Sequence, residues 1–222
     1  QSVDASSLPQ PRGIMKYPAL ISLAVFLLTR PAVPASADDF WTREQDGRIT
    51  HSFAAPGPAV VLCMQGRKVV MQVEVDPVKG FTHQTRFFNV PAGRVDKGRA
   101  IFAGGADLTP NLLIGGRPAG FVAPKKADFD GMLILTYPER DGVLATRTLY
   151  PSMTRALVLD EWRLTNTGEK EIQVSVNPGR IERTEGEKVI MIWRVPVLET
   201  TSLKPGAALT FHASLQARLA GE

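Results

Sequence analysis

Between residues 38 and 222, apolar and polar residues alternate, and Gly, Pro, Asn or Asp breaks the pattern every ~8 to 15 residues. Val69, Met71, Val73 and Val75 alternate with Val70, Gln72 and Glu74. Ile172, Val174 and Val176 alternate with Gln173 and Ser175. Leu209, Phe211, Ala213 and Leu215 alternate with Thr210, His212 and Ser214. Successive side chains of a strand point to opposite faces, so each run predicts a strand with one face in a core and one toward water. Four runs are apolar at both parities: Ala59–Met64, Met132–Tyr137, Ala156–Leu159 and Val189–Trp193. These predict strands covered on both sides, or strands beside a partner surface. With Phe81–Val90, Ile101–Ala103, Leu112–Ile114 and Val143–Tyr150 the pattern predicts about eleven strands. No stretch after residue 37 repeats apolar residues with the helical period. The expected fold is an all-β, antiparallel β-sandwich.

The turns agree. Asp141-Gly142, in the turn Glu139–Gly142, supplies the positive φ of a tight hairpin. Asn166-Thr167-Gly168 is read as a similar turn between Leu164 and Ile172. Lys204-Pro205-Gly206 has Pro and Gly where a type II turn wants them. The Gly- and Pro-rich stretch Gly104–Lys126 is expected to be a long, exposed crossing loop.

The N-terminus reads as a leader. Lys16 precedes an apolar run from Ala19 to Leu28, and Ala35-Ser36-Ala37 forms a small-x-small cleavage site. A membrane anchor would need about 20 apolar residues. The expected organisation is an upstream extension over 1–14, a helical signal peptide over 15–37 and a β-sandwich domain over 38–222. It predicts a periplasmic or secreted protein that is free of the membrane once the leader is cleaved.

The whole chain holds 26 Lys+Arg and 22 Asp+Glu, a formal charge of +4. Removing Arg12, Lys16, Arg30 and Asp4 with the leader lowers this to +2. With no Lys/Arg run longer than Lys125-Lys126, nucleic acid is not expected as a partner. Cys63, the single cysteine, sits in the apolar run AVVLCM and is expected to pack as a small buried hydrophobe.

Catalytic patterns do not emerge. His51, His83 and His212 lack ligand spacing, so no metal is expected. Asp128-x-Asp130-Gly131 lacks the later ligands of a calcium loop and is read as a solvated turn. No G-x-S-x-G surrounds Ser152. Gly115–Gly120 has neither a following Lys-Ser/Thr nor a helix to hold a phosphate, and no cofactor is expected. Asp160 and Glu161 point to opposite faces of one strand and cannot flank one glycosidic bond. Glu182, Glu185 and Glu187 are assigned to a solvated polar loop. Among aromatics, Trp162 is expected in the core. Trp41 and Trp193 are the candidate glycan-contact residues, because a ring face can stack on a sugar.

One segment is more specific. Arg147–Val176 (RTLYPSMTRALVLDEWRLTNTGEKEIQVSV) resembles the N-terminal β-sandwich, a two-sheet supersandwich, of bacterial glycoside hydrolases whose catalytic module is a six-hairpin helical barrel. The matching positions are Arg147, Tyr150-Pro151-Ser152, Trp162 and Asn166-Thr167-Gly168; Leu203–Gly206 and Leu209–Phe211 resemble the end of such a domain. In that family the bond-cleaving acids lie mainly in the downstream barrel, so no catalytic residue carries over.

The resemblance implies a non-catalytic accessory domain of an exported carbohydrate-active enzyme, with a downstream helical catalytic module as its partner. The non-Met start and the stop after the last strand are read as a truncated record. The alternative is a stand-alone carbohydrate-binding module, with a glycan as partner, or a structural cell-surface sandwich.

Overall fold

A computed structural model describes residues 41–221 apart from 54–56, 89–98, 105–107 and 187–188. The expected extension (1–14) and leader (15–37) lie outside the described residues. In chain order the strands are β1 (Thr42–Arg43), β2 (Ile49–Ser52), β3 (Val60–Gln65), β4 (Val69–Asp76), β5 (Gly80–Phe88) and β6 (Arg99–Gly104). There follow β7 (Asn111–Ile114), β8 (Arg117–Pro118), β9 (Lys126–Phe129), β10 (Leu133–Thr136), β11 (Val143–Pro151) and β12 (Leu157–Asn166). The last are β13 (Ile172–Asn177), β14 (Gly179–Glu185), β15 (Val189–Val195), β16 (Leu198–Leu203) and β17 (Ala208–Leu219). No α-helix occurs among the described residues, and the chain is all-β.

The strands form antiparallel sheets. A nine-stranded sheet runs β1-β2-β9-β10-β11-β12-β17-β15-β14. Two four-stranded sheets, β3-β4-β5-β6 and β16-β13-β7-β8, form the other layer of the sandwich. β3 and β4 pack on β11, β4 on β12, and β6 on β14 and β15. One hydrophobic core takes residues from all three sheets, including Val73 and Phe87 (first small sheet), Val174 and Leu112 (second) and Leu164 and Phe211 (large sheet).

The two-residue rhythm is the reason these segments are strands. In β4, Val69, Met71, Val73 and Val75 are all buried while Gln72 and Glu74 are exposed. In β11 and β12 every second residue is buried, from Val143 to Pro151 and from Val158 to Asn166. Asp141 and Gly142 take φ of 49° and 74°, the left-handed pair that a two-residue hairpin turn requires. The amide of Ala207 donates to Lys204 O at 2.9 Å, closing the turn that Pro205 and Gly206 (φ 76°) shape.

Several expectations are corrected. Ala59–Met64 is not covered on both faces. β3 is an edge strand whose inner parity is Val60 and Met64, and Val61 is 57% exposed. Cys63 shares the parity of Val61 and is exposed. Asn166-Thr167-Gly168 does not close a hairpin, because β12 and β13 belong to different sheets. It is the corner where the chain crosses between layers, and Gly168 is not among the positive-φ residues. Glu182 and Glu185 lie in β14, an edge strand, rather than in a loop; Glu187 lies outside the described residues. Gly104–Lys126 is no exposed loop. It carries β7 and β8 and buries Leu108, Leu112, Ile114, Ala119 and Phe121.

Candidate functional site

The centre of the sandwich holds an ion pair. Arg147 on β11 pairs in register with Trp162 on β12, so Arg147, Asp160 and Trp162 share the inner face. The guanidinium donates to both carboxylate oxygens of Asp160: Nε to Oδ1 at 2.9 Å and Nη2 to Oδ2 at 2.7 Å. The two side chains are 2% and 6% exposed, so the pair is desolvated and bidentate. Nη2 also donates to Leu108 O at 3.4 Å, while Nη1 has no hydrogen-bond partner among the described residues. Burial opposes the arginine's charge. The Asp160 carboxylate and Tyr137 outweigh burial and raise its pKa above the ordinary value, so the guanidinium stays protonated.

Aromatic rings enclose this pair. The guanidinium carbon lies 4.0 Å from the centroid of Phe81 and 5.1 Å from Trp162. Both distances permit cation–π attraction in a dry setting. Trp162 stacks between Tyr137 (5.4 Å, 15°) and Phe211 (6.4 Å, 6°), and Phe121 meets Tyr137 at 5.7 Å. Burial raises the Tyr137 hydroxyl above its ordinary pKa of 10.0. The Trp162 Nε1 proton is buried with no hydrogen-bond partner among the described residues.

Beside this stack is a cavity of about 200 Å³ where the three sheets meet. Its floor is the buried set Phe81, Leu112, Ala119, Phe121 and Trp162; exposed Lys79, Asn111, Pro118, Gly120 and Val122 form its mouth. Local conformation shapes the wall. Gly80 takes φ 86°, and a Cβ there would lie 2.5 Å from Val122 O, so the β4–β5 turn and residue 122 close on each other through backbone.

The other predicted residues are placed as follows. Trp193 is 6% exposed and turned into the core, where its Cζ3 would lie 2.9 Å from a Cβ on Gly179; its ring is not presented for stacking. Trp41 is half-buried, packed on the core with its ring 5.3 Å from His51. Tyr150 is half-buried on the opposite parity to Arg147, and Pro151 is buried. Ser152 Oγ accepts from the amides of Thr154 and Arg155 at 3.4 and 3.1 Å, ordering the turn after β11. Asn166 is fully buried; its Nδ2 donates to Lys170 O (2.7 Å) and Leu203 O (2.8 Å), and its Oδ1 accepts from Gly168 N (2.9 Å). Thr167 Oγ1 donates to Gly142 O at 3.0 Å. Asp128 is not in a solvated turn: it is buried in β9, accepting from Thr50 Oγ1 at 2.6 Å, with Lys126 Nζ at 2.9 Å. No group of three or more potential metal ligands occurs among the described residues.

Sequence reasoning singled out Arg147 and Asp160 separately and missed their pairing. The signal was present: both fall at inward parity on neighbouring strands, and neither charge is stable alone in a core. It missed the cavity because glycine and proline in Gly104–Lys126 masked the buried apolar residues between them.

Fold and site together define an antiparallel β-sandwich with a charged, aromatic centre. No protein-family model matches the chain, and no curated protein matches it.

Proposed function

We propose that this chain is a non-catalytic accessory β-sandwich of an exported carbohydrate-active enzyme, of the kind that precedes a six-hairpin helical barrel in glycoside hydrolases. The observation that carries this reading is the role taken by the residues of the resemblance. Arg147 and Trp162 build the buried centre, Ser152 orders the turn after β11, and Asn166 and Thr167 tie down the corner between layers. All of them do scaffold work. The carboxylate nearest that centre, Asp160, is consumed by Arg147 and is not available for acid–base chemistry. A free-standing glycan module fits less well, since Trp193 is interior and Trp41 is half-buried.

Reading the gene past Glu222 tests the proposal. An in-frame helical module carrying paired acids is the expected result. A stop codon followed by an unrelated gene overturns it, as does hydrolysis of aryl glycosides by this polypeptide alone.

A further inference from the structure

We infer that the cavity at the junction of the three sheets is a binding site for a small aromatic carboxylate. This does not rest on the accessory-domain reading. Three observations carry it: size, lining and charge. A dry cavity of roughly 150 Å³ suffices for benzene, and this one, at about 200 Å³, has room for a ring and one small substituent. Its floor is mainly aromatic, with Phe81, Phe121 and Trp162 beside Leu112 and Ala119, so a planar ring meets ring edges and faces. The walls are preformed by backbone contact between Gly80 and Val122, as in ligand sites that need little reorganisation.

The charge argument selects the substituent. None of the described residues that line the cavity is acidic, and Lys79 stands at its mouth. The Asp76 carboxylate near Lys79 accepts the amides of Val78 and Lys79 at 2.8 and 2.7 Å and is not among the residues that line the cavity. The guanidinium of Arg140 lies against Gly120, another mouth residue, with Nη1 3.6 Å from where a Cβ would stand. A ring seated on the floor would therefore direct an anionic group outward toward these cations. A sugar fits worse: its hydroxyls would be stripped of water against an apolar floor that offers few partners.

Nuclear magnetic resonance titration of the protein with benzoate tests this, with benzyl alcohol as a neutral analogue and glucose as the saccharide arm. Benzoate is expected to bind with Kd on the order of 1 mM, as its few atoms allow, shifting the amides of Gly80, Leu112, Ala119 and Phe121. Benzyl alcohol should bind at the same amides about three- to fivefold more weakly, the size of a rim ion pair. Lys79→Met should bring benzoate part of the way down to the alcohol's affinity, Lys79→Met with Arg140→Met should bring it all the way, and neither should change the alcohol's binding. Ala119→Leu should abolish both by filling the floor; Lys79, being exposed, gives a variant whose folding is not at stake. The inference is overturned by no benzoate-induced shift at about 20 mM, ~20 times the expected Kd, by shifts confined to other surfaces, or by tighter binding of glucose than of benzoate.

Discussion

At the scale of single residues the most consequential contact is Arg147–Asp160. A buried ion pair adds little net stability over an apolar pair, but removing one partner strands the other charge in the core. Arg147→Met should therefore destabilise the fold by about 3–5 kcal/mol, read as a lower urea midpoint. Arg147→Met combined with Asp160→Leu should recover most of that loss, because no uncompensated charge remains. An equal or larger loss in the double variant would show that guanidinium packing on Phe81 and Trp162, rather than charge, holds the centre.

At the scale of elements, two strand junctions make separate predictions. The β3–β4 turn rests against the end of β11: a Cβ on Gly66 would lie 2.1 Å from the Ser152 carbonyl oxygen. That atom is backbone and cannot swing aside. Gly66→Ala should cost about 1–3 kcal/mol, typical of overpacking, whereas Gly116→Ala, with nothing within 4 Å of a Cβ, should cost only the backbone strain of its positive φ of 76°, about 1 kcal/mol. A thermal-unfolding comparison of the two checks this.

The second junction is the edge formed by β1, β2 and β9. Burial lowers the pKa of His51 from its ordinary 6.5. For Asp128, burial alone would raise the pKa, but hydrogen bonds from Thr50 and Lys126 outweigh it, and the net shift is below 3.8. Both groups thus take up protons more readily in the unfolded chain. Their contribution is complete above pH 6.5 and is lost as pH falls, first through His51 and then through Asp128. The melting temperature should fall between pH 7 and pH 5, and His51→Phe should flatten that part of the profile.

At the scale of the whole molecule, one core cluster runs through all three sheets. Among the described residues no sheet has a core of its own, so the sandwich should unfold as a unit. Far-ultraviolet dichroism, which reports the sheets, and tryptophan fluorescence, dominated by buried Trp162 and Trp193, should give coincident urea transitions. Two separated transitions would mean that one four-stranded sheet detaches first.

The sequence by itself determined the local facts: which residues alternate, where Asp141-Gly142 and Pro205-Gly206 turn the chain, and hence an all-β sandwich. These follow from backbone sterics and the two-residue period, which act over neighbours. The tertiary structure alone decided which partner each strand takes and which face is covered. β12 pairs with β17 rather than with β13, its neighbour in sequence. Alternation defines two faces for β3 and for β15 but does not say which one water reaches. Cys63 therefore faces out and Trp193 faces in. The register of the neighbouring strands β11 and β12 brings Arg147 to Asp160, and packing between sheets closes the cavity. Side-chain order along the chain carries no distance between segments, and only packing supplies it.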